Sequence, residues 1–141
     1  MKTGIIVEEL KERMAGQKVR AALFYSFNFD ARFFENYILT QFLSDVSFSN
    51  NEIQNAILWK KYQKELPPIT VFCDFHAKGT TGPSLAYNVV PVDMPINASG
   101  RKPCFHPKQS YILLEDSSLI VIGGSNNITQ SAWCSNIEGV N

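Results

Sequence analysis

His106-Pro107-Lys108 and, beyond a hydrophobic stretch, Ser125-Asn126-Asn127 carry the side chains of this chain best suited to act on one ligand. An imidazole can attack phosphorus, and an ammonium and a carboxamide can stabilise the charge that develops on phosphate oxygens. On an extended backbone, residues two apart share a face, so His106 and Lys108 converge, as do Ser125 and Asn127. The small Gly123-Gly124 pair lets backbone and ligand approach closely and offers N–H donors to an anion. Metal-free cleavage of a phosphodiester is the reaction that uses such a set.

Each candidate has a plainer reading. A lone His-x-Lys is common by chance and gains weight only from Ser125, Asn127 and the acidic residue beyond them. Cys104-x-His106 supplies two metal-type ligands with no second pair, so no metal is expected, and no other cofactor is implied. His76 has no partner motif and reads as a satisfied or exposed histidine. Trp133 and the phenylalanines read as core rather than as base-stacking platforms. Lys60-Lys61 and Arg101-Lys102 read as solvated charge, the second pair lying beside His106 where it can meet a polyanion.

The elements that position these residues follow from periodicity. Ile5 to Met14 places Ile6, Leu10 and Met14 at helical spacing and is stopped at Gly16. Val19 to Phe27 is an apolar, β-forming run, and Ala31 to Ser44 repeats Phe34, Ile38 and Phe42 as a helix would. A helix lined by Ile53, Ile57, Trp59 and Tyr62 is expected before Pro67-Pro68. Strands are expected at 69–75 and 88–92, with loops at 79–84 and 97–103. Two adjacent antiparallel strands, 108–114 and 119–122, are joined by the polar turn Glu115-Asp116-Ser117-Ser118. This order predicts an α/β fold, a mixed β-sheet flanked by helices.

The 141 residues suit a single domain, 1–141, with 45% hydrophobic and 18% charged residues, a globular balance rather than a disordered one. The net charge is zero, which argues against a nonspecific electrostatic grip on nucleic acid, though a local patch survives such averaging. Cys73, Cys104 and Cys134 form no Cys-x-x-Cys pair and follow no secretory signal, so reduced thiols and a cytoplasmic location are expected. Apolar runs are broken by charge well short of the roughly 20 residues that span a bilayer, so no membrane anchor is expected.

At His106-Pro107-Lys108, Ser125-Asn126-Asn127 and Asn136-Ile137-Glu138 the chain resembles the phospholipase D superfamily. Leu113 stands where the common branch carries an aspartate, a departure shared with the tyrosyl-DNA phosphodiesterase branch. Ala132-Trp133, Glu138-Gly139 and the upstream Phe24–Asp30 and Pro68–Phe72 segments look like that branch as well. The resemblance implies a phospholipase D-like half. In it His106 is nucleophile or general acid, Lys108 and Asn127 bind phosphate, Ser125 contacts phosphate or supports the site, and Glu138 orients or polarises a histidine.

The function so implied is a metal-independent phosphodiesterase or nuclease that cleaves DNA through a phosphohistidine intermediate. The alternatives are a phospholipid-processing enzyme and a noncatalytic module that binds phosphate or nucleic acid. Attack and leaving-group protonation need two proton-handling groups, and this chain holds one His-x-Lys motif. The second motif is therefore expected from a homodimer partner or from a C-terminal half beyond Asn141.

Overall fold

The computed structural model describes residues 5–49, 51–77 and 82–135. Five strands form one mixed sheet in the order β3-β2-β1-β4-β5: β1 Val19–Ser26, β2 Ile69–Asp74, β3 Asn88–Val92, β4 Gln109–Leu114 and β5 Leu119–Gly123. β1, β2 and β3 run parallel, with Phe24 opposite Val71 and Val71 opposite Val89. β4 runs antiparallel to β1, and β5 antiparallel to β4, with Leu23 opposite Tyr111 and Tyr111 opposite Val121. The expected 108–114 and 119–122 pair is thus present, each strand within a residue of its expected limits. The carboxyl ends of β1, β2, β3 and β5 and the amino end of β4 share one end of the sheet.

Strand alternation divides the sheet into two unequal faces. Phe24, Ser26, Ile69, Val71, Cys73, Ser110, Ile112 and Leu114 are buried on one of them. Their apolar members share a core with Val7, Leu10 and Met14 of α1 (Ile5–Met14), with Trp59 of α3 (Glu52–Tyr62) and with Trp133. Tyr25, Phe72, Phe105 and Tyr111 are half-buried on the other, where Tyr25 packs on Phe72, Phe105 and Tyr111 at centroid distances of 5.3, 6.2 and 6.3 Å.

The helix expected over 31–44 is present but changes pitch. Asp30 caps it, accepting the N–H of Phe33 at 3.1 Å. A short α-helical start, α2 (Ala31–Phe33), passes into a π-helical stretch, Phe34–Ile38, and a 3-10 turn, Leu39–Phe42. The buried pairs Phe33-Phe34 and Ile38-Leu39 recur five residues apart. The i→i+5 bond from Leu39 N–H to Phe34 O keeps both pairs on the core side.

The 53–62 helix is also present, capped by Asn51, whose side chain accepts from Ile53 N and Gln54 N. Its expected inward face is only partly right. Trp59 is buried, but Ile53 and Ile57 are exposed, on a face nearly opposite the Asn55–Trp59 stripe. Asn55 turns inward because it clamps the preceding loop, accepting Ser49 N at 3.0 Å and donating to Ser49 O at 2.8 Å. No helix among the described residues is long and apolar enough to cross a membrane.

Candidate active site

His106 and Lys108 lie on the segment that leads into β4, just before its first residue, Gln109. Their convergence is realised: Lys108 Nζ lies 2.9 Å from both ring nitrogens of His106. Phe27, at the end of β1, backs both side chains. Its ring centroid is 4.9 Å from the imidazole, and Lys108 Nζ lies 5.8 Å from that centroid. Phe27 thus gives the imidazole a nonpolar wall without taking a hydrogen-bonding position from it.

Asn127 is fastened to the residue that follows Phe27. After β5 ends at Gly123, Asn127 Oδ1 accepts the backbone N–H of Asn28 at 3.0 Å, which leaves the carboxamide nitrogen of Asn127 as a donor. Ser26 and Ile128 hold this crossing. Ile128 N donates to Ser26 Oγ at 2.9 Å, Ser26 Oγ donates to Asn28 O, and Asp30 N donates to Ile128 O at 3.0 Å. A single isolated bridge, Phe29 with Ile128, completes it. His106 and Lys108 thus lie against Phe27, and Asn127 is bonded to the next residue, Asn28.

Ser125 is exposed at the same end, following the Gly123-Gly124 pair, and a Cβ at Gly123 would meet nothing within 4 Å. Open space rather than protein crowding surrounds that glycine, which leaves room for a ligand. Glu138, the residue expected to orient a histidine, lies outside the described residues.

Sequence reasoning missed Asp74, which ends β2 beside this group. Only 4% exposed, its carboxylate accepts the backbone N–H of His76 at 2.9 Å and of Phe105 at 2.8 Å. Burial pushes the carboxyl pKa up, but the N–H donors of Phe105, His76 and Ala77 and the nearby His76 together outweigh it and hold the pKa below the usual carboxylate value. A polar residue closing the apolar run Ile69–Cys73 was the available signal. His76 is exposed, as the sequence allowed, with Nε2 3.9 Å from Asp93, which itself pairs with Lys102 at 2.7 Å. Trp133 is buried in the core as expected, whereas Phe75 departs from the core reading and is exposed. Cys104 is exposed, and among the described residues no three His, Cys, Asp or Glu side chains cluster as metal ligands. A cleft of about 610 Å³ is lined by Lys11, Tyr37, Gln41 and Asn55 among others, and none of the site residues named above borders it.

No family model and no curated protein matches the sequence. Solved structures do share its fold. NucT from Helicobacter pylori aligns over 96% of this chain and 74% of its own, with a TM-score of 0.55 at 13% identity. A yeast tyrosyl-DNA phosphodiesterase aligns over 89% of this chain, with a TM-score of 0.53 at 15% identity. The chain spans only 25% of that enzyme's length. The α/β fold is thus the phospholipase D-like one that the resemblance implies.

Proposed function

We propose that this chain forms one half of a metal-independent phosphodiesterase site that cleaves DNA by way of a phosphohistidine. The observation that carries the reading is the meeting of His106 and Lys108 at 2.9 Å against Phe27, with Asn127 fastened to the next residue, Asn28. Two solved structures of the same fold support it, one of them named for acting on a tyrosyl-DNA phosphodiester.

In the first step a ring nitrogen of His106 attacks phosphorus. The P–N bond forms as the P–O bond to the leaving group breaks, and a general acid from the second motif protonates the departing oxygen. Lys108 Nζ and the Asn127 carboxamide stabilise the nonbridging oxygens as their charge grows. In the second step water attacks phosphorus, the P–N bond breaks, and the second motif's group, now a base, takes the water's proton. Glu138 is assigned the orientation of a histidine, and Ser125 a phosphate contact.

The second motif comes from an identical subunit or from further sequence. The test is hydrolysis of single-stranded DNA and of bis(p-nitrophenyl) phosphate by the protein in excess EDTA. Cleavage that persists in EDTA and vanishes in His106→Ala supports the mechanism. Activity that is lost in EDTA and restored by a divalent ion, or full activity in the variant, rules it out.

A further inference from the structure

Asp74 bonds both to the residue whose ring backs the His106 imidazole and to the residue that precedes His106. Its backbone N–H donates to Phe27 O at 3.2 Å, which fixes the residue whose ring backs the histidine. Its side-chain Oδ2 accepts the N–H of Phe105 at 2.8 Å, which fixes the residue immediately before the histidine.

The sheet order shows why such a tie is needed. β1 lies between β2 and β4, so the chain leaving β3 at Val92 must cross the ends of β2 and β1 before it enters β4 at Gln109. That crossing, residues 93–108, contains no strand or helix. Its internal bonds are local: Asn97 N to Arg101 O at 2.8 Å, Gly100 N to Asn97 O at 3.0 Å, and the Lys102–Asp93 ion pair. Toward residues outside the segment, Asp93 lies 3.9 Å from His76 Nε2 and the Phe105 ring packs on Tyr25 at 6.2 Å, contacts that do not fix the backbone beside residue 106 by a hydrogen bond. The Asp74–Phe105 bond does, and it comes from a carboxylate that is 4% exposed and whose other oxygen is occupied by the His76 N–H. A buried charge-assisted bond of this kind resists competition from water.

We infer that Asp74 is a positioning residue for His106, locking the crossing segment to β2 so that the imidazole stays against Phe27 and within reach of the phosphate. This assignment rests on the phosphodiesterase reading for its catalytic consequence, but not for its structural one. A nucleophile displaced by about 1 Å loses on the order of 10²-fold in rate. Asp74→Asn puts an amide donor or a weaker neutral acceptor against two N–H groups, and Asp74→Glu keeps the charge but lengthens the arm by one methylene.

Both variants are to be compared with the wild-type protein by two measurements. The first is kcat and KM for bis(p-nitrophenyl) phosphate, where kcat is expected to fall about 10²-fold with KM changed little. The second is the NMR shift of the His106 ring protons, which lie in the ring current of Phe27. These shifts are expected to move toward those of free histidine, while amide dispersion elsewhere is kept. Wild-type ring shifts in both variants overturn the inference, whatever the activity. A wild-type protein without phosphodiesterase activity sinks the functional reading alone, and the ring shifts still decide the role of Asp74. Should Asp74→Asn unfold, Asp74→Glu decides. Unfolding of both makes Asp74 a general support of the fold and overturns the specific role.

Discussion

Asn127 Oδ1 accepts the backbone N–H of Asn28 at 3.0 Å, a bond between residues 99 positions apart that fastens the chain after β5 to the end of β1. It divides the Asn127 carboxamide into a structural half and a chemical half. The oxygen is used by the protein, and the nitrogen is the half that the proposed phosphate contact would use.

Asn127→Asp separates the two halves. A carboxylate still accepts the Asn28 N–H, so far-UV circular dichroism and thermal unfolding should stay near those of the wild type. It cannot donate, and it repels phosphate, so kcat should fall by about 10²- to 10³-fold, the usual cost of one lost donor to a developing oxyanion. Unchanged kcat in a folded Asn127→Asp protein removes Asn127 from the site.

Asp74 gives the fold a dependence on acid. Its carboxyl pKa lies below the ordinary value of 3.8, so the native state favours the ionised form. The stability this contributes is fully present above the ordinary pKa and is lost as pH falls through the lowered one. Denaturant midpoints measured from pH 6 to pH 2 should therefore drop more steeply for the wild type than for Asp74→Asn below about pH 4. Asp116, whose pKa is lowered chiefly by the Ser118 hydroxyl, titrates in the same range but is common to both proteins and cancels in the difference. Parallel curves would show that Asp74 is not preferentially ionised in the fold.

A second buried carboxylate, Glu35, anchors the loop before β3. It accepts Ser84 N at 2.7 Å and Tyr87 OH at 3.2 Å, and the Ser84 hydroxyl donates to its other oxygen. Burial first, then the Glu35 charge, push the Tyr87 phenol above its usual range. Glu35→Ala strands three donors, of which the Tyr87 hydroxyl is buried with its residue. A loss of roughly 3 kcal/mol is expected, a cost of about 1–3 kcal/mol for each unsatisfied buried group with partial relief by water at Ser84. Tyr87→Phe, which removes one donor and leaves the carboxylate its other partners, should cost about 1 kcal/mol. Urea unfolding of the two variants orders them, and equal losses would show that Tyr87 rather than the carboxylate is the main tie.

The contrast between these residues shows what the sequence carried. The β4–β5 hairpin was legible because its cause is local: two β-forming runs joined by Asp116 and Ser118, whose bonds (Ser118 N to Asp116 Oδ1 at 2.9 Å) span two positions. Lys108 beside His106 was legible for the same reason. The bonds that place the motif are not local. Asp74 to Phe105 spans 31 positions and Ser26 to Ile128 spans 102, and no periodicity reveals them. Ser26 reads as one small residue in an aromatic strand, yet it is fully buried and holds the Asn127 crossing. The pitch change after Phe33 was likewise hidden, because Phe34, Ile38 and Phe42 satisfy an α-helical template until the adjacent Phe33 and Leu39 must also be buried. The inward face of α3 was misjudged where Asn55 outcompeted Ile53 and Ile57 by bonding the backbone of Ser49.

The source of the second proton-handling group can be read from mixed assemblies. If two identical subunits complete one site, each contributes a His106, one to attack and one to protonate the leaving oxygen. Mixing wild type with an equal amount of His106→Ala protein and allowing exchange then leaves only about a quarter of the dimers fully wild type, and the mixed ones hold a single imidazole. Activity should fall toward a quarter of the wild-type value for the same total protein. If instead the second group lies in the same polypeptide, each wild-type chain works alone and activity should fall only to one half, as dilution requires. Sedimentation run beside the assay fixes the assembly state, and a value of one half from a protein that sediments as an exchanging dimer would exclude the shared site.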